Sequence, residues 1–221
     1  MKKATLKFNH VQLHPSQIHK LRGYVGNLFK DHDLIHNHDV NTGKQIYRYP
    51  LIQFKRIEET PVVIAITDQA IEIFMEIFMT LDEIRIDNAV IPVREKDLQL
   101  ETANFGFTEE TYMYKLVSPW IGLNQTNHLN YVAAGSRTEK ATVLKRAMTG
   151  NILSMAKGLG CWLEKGQQIK LDLQLKEKPV TLKGKKMIGF SGIFKTNFMI
   201  PDHLGIGKSV SRGFGTVKKR I

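Results

Sequence analysis

Residues 47–80, YRYPLIQFKRIEETPVVIAITDQAIEIFMEIFMT, decide the fold. Tyr47 to Ile57 has the composition of a strand, and Val62 to Ile66 is an apolar run of strand length. Glu58-Glu59-Thr60-Pro61 between them predicts a hairpin turn. Asp68 is placed to cap a helix that runs to about Met79. Glu72 and Glu76, four residues apart, mark its wet side. Upstream, Leu6 and Phe8 alternate with Thr5, Lys7 and Asn9, which predicts a strand over residues 3–11. Pro15-Ser16 then opens a helical pattern with Ile18, Leu21, Val25 and Leu28 on one face. Downstream, residues 83–100 have an extended pattern. The order is strand, helix, strand, strand, helix, strand, the ferredoxin-like βαββαβ unit.

A boundary is expected at residues 101–111, where Glu, Asn, Gly and Thr cluster. The second half follows the same order less cleanly. Residues 112–117 predict a strand, and Ser118-Pro119 breaks it. Residues 138–157 form the longest helical pattern, with Val143, Ala147, Ile152 and Met155 as its candidate buried side. Gly158 and Gly160 end that pattern. Residues 169–175 and 186–198 predict strands. The expected fold is therefore α+β: two tandem ferredoxin-like (RRM-like) βαββαβ domains, over residues 1–105 and 106–221. The open sheet of such a unit is an established platform for single-stranded RNA, although the fold alone hosts many activities.

Charge separates the halves. Residues 1–110 hold 13 Lys/Arg and 16 Asp/Glu, net −3, whereas residues 111–221 hold 19 and 5, net +14. Such asymmetry predicts a polyanionic partner for the second half, nucleic acid before an anionic membrane surface. The single cysteine, Cys161, excludes an intrachain disulfide, and its Gly160 and Trp162 flanks predict a buried or half-buried thiol. A reducing, cytoplasmic setting is expected. The N-terminal MKKATLKFNHV lacks the apolar region of a secretory signal. No apolar run approaches the ~20 residues that span a bilayer, so no membrane association is expected.

Three constellations could carry chemistry. The first is residues 205–215, GIGKSVSRGFG, with Gly205, Gly207, Gly213 and Gly215 spaced as two Gly-x-Gly pairs. Glycines let a backbone approach a phosphate closely, and successive N–H groups can form an anion nest. Lys208 and Arg212 add charge there, and Ser209 and Ser211 add hydroxyls. A Walker A loop would need glycine at position 202, which is Asp, and a Rossmann fingerprint would need it at 210, which is Val. The alternative is a glycine-rich turn between strands.

The second is His36-Asn37-His38, with Tyr47 and Tyr49 downstream. Two imidazoles can serve as base and acid. RNA self-cleavage requires such a pair, one group for the 2′-hydroxyl proton and one for the departing 5′-oxygen, and needs no metal. A tyrosine hydroxyl can orient the phosphate. Two alternatives stay open, a solvated loop and a metal site built from His32, His36, His38, Asp31, Asp33 and Asp39. The third is the helix at 138–157, whose Lys145 and Arg146 are candidates to grip an RNA backbone.

The loop at 205–215 resembles the signature of the RAMP superfamily of CRISPR-associated proteins. Leu34-Ile35-His36-Asn37-His38, followed by Tyr47-Arg48-Tyr49-Pro50-Leu51-Ile52-Gln53-Phe54-Lys55, is similar to the repeat-RNA processing endoribonucleases, the sixth Cas family, in their type I-B subgroup. The resemblance covers most of the chain. It implies cleavage of precursor CRISPR RNA within each repeat, without metal or other cofactor, leaving a 5′-hydroxyl and a 2′,3′-cyclic or 3′-phosphate. It implies His36, His38 and Tyr47 as catalytic residues, with Tyr49 as the alternative tyrosine. The RNA-binding expectation covers Lys145, Arg146, Gly205, Gly207, Lys208, Ser209, Ser211, Arg212, Gly213 and Gly215. CRISPR repeat RNA is the expected partner, and a homodimer and other Cas proteins are further expectations. The rival is a non-catalytic RAMP subunit that binds repeat RNA within an effector complex.

Overall fold

The computed structural model describes residues 1–30, 32–36, 48–182 and 184–220, with no side-chain description at 33 and 36. Two compact units emerge. The first holds Met1–Ala103 together with Val210–Gly213, and the second holds Asn104–Ser209 and the residues from Phe214 on.

In the first unit, strand β1 (Lys2–Asn9) leads through a short 3-10 turn to helix α1 (Ile18–Leu28) and the four-residue helix α2 (Asp33–His36). Strands β2 (Ile52–Ile57) and β3 (Thr60–Ile66), helix α3 (Asp68–Thr80), hairpin β4 (Glu83–Ile86) and β5 (Ala89–Pro92), and strand β6 (Glu95–Thr102) follow. The four main strands lie in the order β2-β3-β1-β6, all neighbours antiparallel, which is the ferredoxin-like sheet. Ile57 pairs with Thr60 across the β2–β3 turn. Glu58 and Glu59 both hold positive φ there, 49° and 72°, because a two-residue hairpin loop must follow the right-handed twist of its strands. One side of β1 (Ala4, Leu6, Phe8) closes onto Ile18, Leu21 and Val25 of α1 and Ala70, Phe74 and Ile77 of α3 in one apolar cluster.

Three expectations shift. Leu28 is 52% exposed and does not join the buried face of α1. Thr67 is the N-cap of α3, so Asp68 is its first helical residue and pairs instead with Lys2 at 2.7 Å. The extended run at 83–100 divides into the β4–β5 hairpin, a sheet of its own, and the edge strand β6.

The second unit runs β7 (Gly106–Leu116), α4 (Gln125–Ala133), α5 (Arg137–Gly158), β8 (Leu171–Leu182), β9 (Lys185–Met199) and β10 (Val217–Arg220). Its sheet order, β10-β7-β9-β8, repeats that of the first unit. Ser136 starts α5 with a reciprocal capping box to Glu139, which satisfies N–H groups left over at the helix start. The buried face of α5 is Leu144, Ala147, Met148, Ile152, Met155 and Ala156. Val143, expected on that face, is only half-buried. The expected second crossover helix is absent: residues 200–216, all described, connect β9 to β10 as turns and isolated bridges. The glycine-rich segment occupies the place of a helix in the topology. Cys161 is half-buried.

Candidate functional site

The glycine-rich segment is divided between the units. In the second unit, Ile206 N–H donates to Gly215 O (3.0 Å), Lys208 N–H to Ile121 O (2.8 Å) and Gly215 N–H to Pro119 O (2.8 Å). Gly207 has φ +88°, and a Cβ there would lie 2.6 Å from Nε1 of the fully buried Trp120. Gly215 has φ +62°, and a Cβ there would collide with the carbonyl of Ile206. These glycines are required by close packing as well as by backbone conformation. Gly215→Ala is therefore expected to cost at least about 2 kcal/mol, from left-handed strain plus the clash. Urea unfolding measures it, and an unchanged midpoint would contradict the packing argument.

Val210–Gly213 belongs to the first unit. It runs beside the edge strand β2 through a parallel bridge between Phe54 and Arg212. Phe54 N–H donates to Ser211 O at 3.3 Å, and Lys55 Nζ donates to Val210 O at 2.9 Å. Gly213 N–H closes a turn onto Val210 O (3.3 Å). Gly213 also has positive φ, and a Cβ there would stand 3.1 Å from Ile18 Cγ2 of α1. The segment thus lies along the edge of the first sheet, joined to it by an isolated bridge.

Lys55 is unexpected. Alternation along β2 puts Ile52 and Phe54 inward and Gln53 and Lys55 outward, yet all four are buried. Gln53 donates to Pro50 O (3.0 Å). Burial pushes the Lys55 amine down to about 7, because little water remains to solvate an ammonium there.

Arg22, on α1, is likewise absent from the sequence-based candidates. Its Nη2 donates to Ile35 O at 3.1 Å, the carbonyl just before His36 in α2. Burial, and then the Arg212 guanidinium, bring its pKa down to about 10. Burial also lowers that of Arg212. The signal for both residues is tertiary. In sequence, Arg22 is one more polar residue on an amphipathic helix.

The expected catalytic residues are only partly in view. His38 and Tyr47 lie outside the described residues, and His36 is placed only as the last residue of α2. Tyr49 is half-buried between α2 and β2 in sequence. His32 approaches Glu76 at 3.0 Å. Among the described residues no group of three His, Cys, Asp or Glu side chains could hold a metal ion; Asp31, His38 and Asp39 of the alternative metal set lie outside them, as do the side chains of Asp33 and His36. Of the expected RNA-binding residues, Lys145, Arg146 and Lys208 are exposed. Gly207, Ser209, Arg212 and Gly213 are half-buried, and Gly205, Ser211 and Gly215 are buried. The cations are thus open to solvent in whole or in part, while the buried Gly205, Ser211 and Gly215 shape the segment that carries Lys208 and Arg212. No described helix is long and apolar enough to cross a membrane.

The family model of the Cas6b N-terminal domain matches residues 1–104, and that of the Cas6b C-terminal domain matches residues 106–220. A crystal structure of Cas6b is 35% identical, covers 99% of both chains and superposes with a TM-score of 0.93. A second, of the CRISPR RNA processing endoribonuclease Cas6b, is 33% identical over the whole of both chains, with a TM-score of 0.80. The uncharacterized protein MJ0978 of Methanocaldococcus jannaschii is 39% identical over 142 residues, 64% of this chain and 95% of that protein.

Proposed function

Because the chain belongs to the Cas6b family, we propose that it is an endoribonuclease that cuts precursor CRISPR RNA within its repeats without a metal ion. The match of both halves of the chain to the two Cas6b domains carries this proposal. One similar solved structure bears the description of a CRISPR RNA processing endoribonuclease. The net charge of +14 in residues 111–221 supplies a partner surface for a polyanion.

In the proposed reaction one imidazole of the His36/His38 pair takes the proton from a ribose 2′-hydroxyl. The 2′-oxygen attacks the adjacent phosphorus, and the bond to the 5′-oxygen breaks as the other imidazole gives that oxygen a proton. The products are a 2′,3′-cyclic phosphate and a 5′-hydroxyl. His38 is the first choice for one of the two roles. Tyr47, or Tyr49, steadies the charge on the non-bridging oxygens.

Purified protein incubated with end-labelled repeat RNA in excess EDTA tests the proposal. A single cut leaving a 5′-hydroxyl is expected. Tight binding without cleavage would reassign the chain as a repeat-binding subunit. Activity lost on chelation and restored by added metal would overturn the metal-free chemistry.

A further inference from the structure

One of the two tryptophans of the second unit is left in water. Trp120 is fully buried, whereas Trp162, just beyond α5, is 69% exposed. A ring of that size is ordinarily packed inside a fold or against a partner. Trp162 does not ride on a loose loop. Helix α5 ends in a Schellman closure: Cys161 N–H donates to Ala156 O (2.9 Å) and Gly160 N–H to Lys157 O (3.1 Å), with Gly160 at φ +72°. A Cβ on Gly106 would stand 3.3 Å from Cys161 Sγ, so the residue before Trp162 lies against the start of β7. Further along, the buried Asn197 side chain of β9 donates to Gln168 O (3.0 Å) and accepts from Lys170 N–H (2.7 Å). The Lys157 ammonium stands over the Trp162 ring, 5.7 Å from its centroid. Lys157, Lys165 and Lys170 are all exposed, and among the described residues none of them has a carboxylate partner.

We propose that Trp162 and Lys157 form a nucleotide subsite on the second unit: the indole stacks one unpaired base of a bound RNA, and Lys157 pairs with the phosphate of that nucleotide. The inference rests on the proposal that the chain binds repeat RNA, and adds residues that belong neither to the histidine pair nor to the glycine-rich segment. A nucleotide carries a flat π surface and a negative charge side by side, and the ring and the ammonium match both. Aromatic rings flanked by cations hold single strands in this way, whatever the base, because every base has a π face. In the free protein the ammonium rests on the ring, an exposed cation–π contact that is weak. Its flexible four-carbon stem lets it leave the ring for a phosphate when a base arrives. The helix cap and the Asn197 bonds hold the backbone on either side of the ring, so little freedom is lost on stacking. A protein partner would anchor such a ring within an apolar surround, where lysine is scarce. Here the surround is three unpaired lysines within a half-chain of net charge +14, which favours a polyanion.

Fluorescence titration with 2′-O-methyl repeat RNA, which binds without being cut by 2′-hydroxyl attack, tests the subsite. Trp120 is buried, so quenching of the tryptophan emission on binding is expected to report Trp162. Trp162→Ala should raise the Kd about 5–150-fold, the range for one stacked base. Its log Kd should keep the native slope against log salt, whereas Lys157→Ala should lower that slope by about one, as loss of one phosphate contact does. Trp162→Phe should recover most of the affinity, and Trp162→Leu, which keeps apolar bulk without a π face, should not. That last comparison also decides the matter if Trp162→Ala proves to unfold early. Native affinity in Trp162→Ala, or equal affinity of the Phe and Leu variants, would overturn the subsite and leave the ring to a protein contact. Binding without cleavage of unmodified repeat RNA by the native chain would defeat the endoribonuclease proposal and leave the subsite standing. If the native chain binds no repeat RNA, the same variants are measured against oligoadenylate, since stacking tolerates any sequence; failure to bind that as well would overturn both.

Discussion

His38→Ala is expected to slow single-turnover cleavage of repeat RNA by about 10²–10⁴-fold, the range for loss of a positioned general acid or base. RNA affinity should stay close to native, because the proposed grip lies in the cations of the second half. The rate should fall on both sides of a pH optimum, since the base must be neutral and the acid protonated at the same moment. His36→Ala should produce a loss of the same order. Tyr47→Phe and Tyr49→Phe separate the two tyrosines, and only the one that steadies the phosphate should lose rate. Rapid-quench measurement of the labelled product, with affinity measured in parallel, is the check. A His38→Ala chain that cuts at the native rate would remove His38 from the mechanism.

The second large effect concerns stability and resides in Lys55. The amine is fully buried, has one hydrogen bond, to Val210 O, and titrates near 7 in the folded protein. In the unfolded chain a lysine titrates near ~10.4. Below pH 7 both states carry the proton and the burial penalty is constant. Between pH 7 and about 10.4 the unfolded chain binds more protons than the folded one, so stability rises with pH. Above that window it levels off. From pH 7 to pH 9 the native chain should therefore gain about 2 kcal/mol relative to Lys55→Met. Urea unfolding of both proteins at pH 6, 7, 8 and 9 measures the difference, in which the other titrating groups cancel. Parallel stability curves would show that Lys55 stays charged in the fold. At neutral pH and below, Lys55→Met should unfold no more readily than the native chain, since methionine fills similar volume without a charge to desolvate. The bond to Val210 O is lost, however, so the segment bearing Arg212 should be held less firmly and RNA affinity should drop.

Local rules made much of this protein legible. The Glu58-Glu59 turn, the buried residues Ile18, Leu21 and Val25 of α1, and the long helix near residues 138–157 all follow from periodicity and turn chemistry. Those signals come from neighbours within a few positions, where backbone and side-chain geometry is fixed by spacing alone. The His36-Asn37-His38 and glycine-loop patterns were legible as motifs, because acid–base pairs and close backbone approaches limit the residue types that can serve.

Non-local features were not legible. Period-two alternation places Lys55 on the open side of β2, and it is buried because a segment more than 150 residues later covers that side. The residues 205–215 read as one phosphate-gripping loop, yet four of them join the first unit, while in the second Gly207 packs on Trp120 and Ile121 and Gly215 on the carbonyl of Ile206. By itself the sequence determined the order of the main strands and helices of the first unit, the turn that joins β2 to β3, and the charge of each half. Only the tertiary structure decided where Val210–Gly213 belongs, and with it that Arg212 stands beside Phe54 at the edge of the first sheet. The physical reason is that a strand is added to a sheet edge by backbone hydrogen bonds, which every residue but proline can make and no side-chain pattern records.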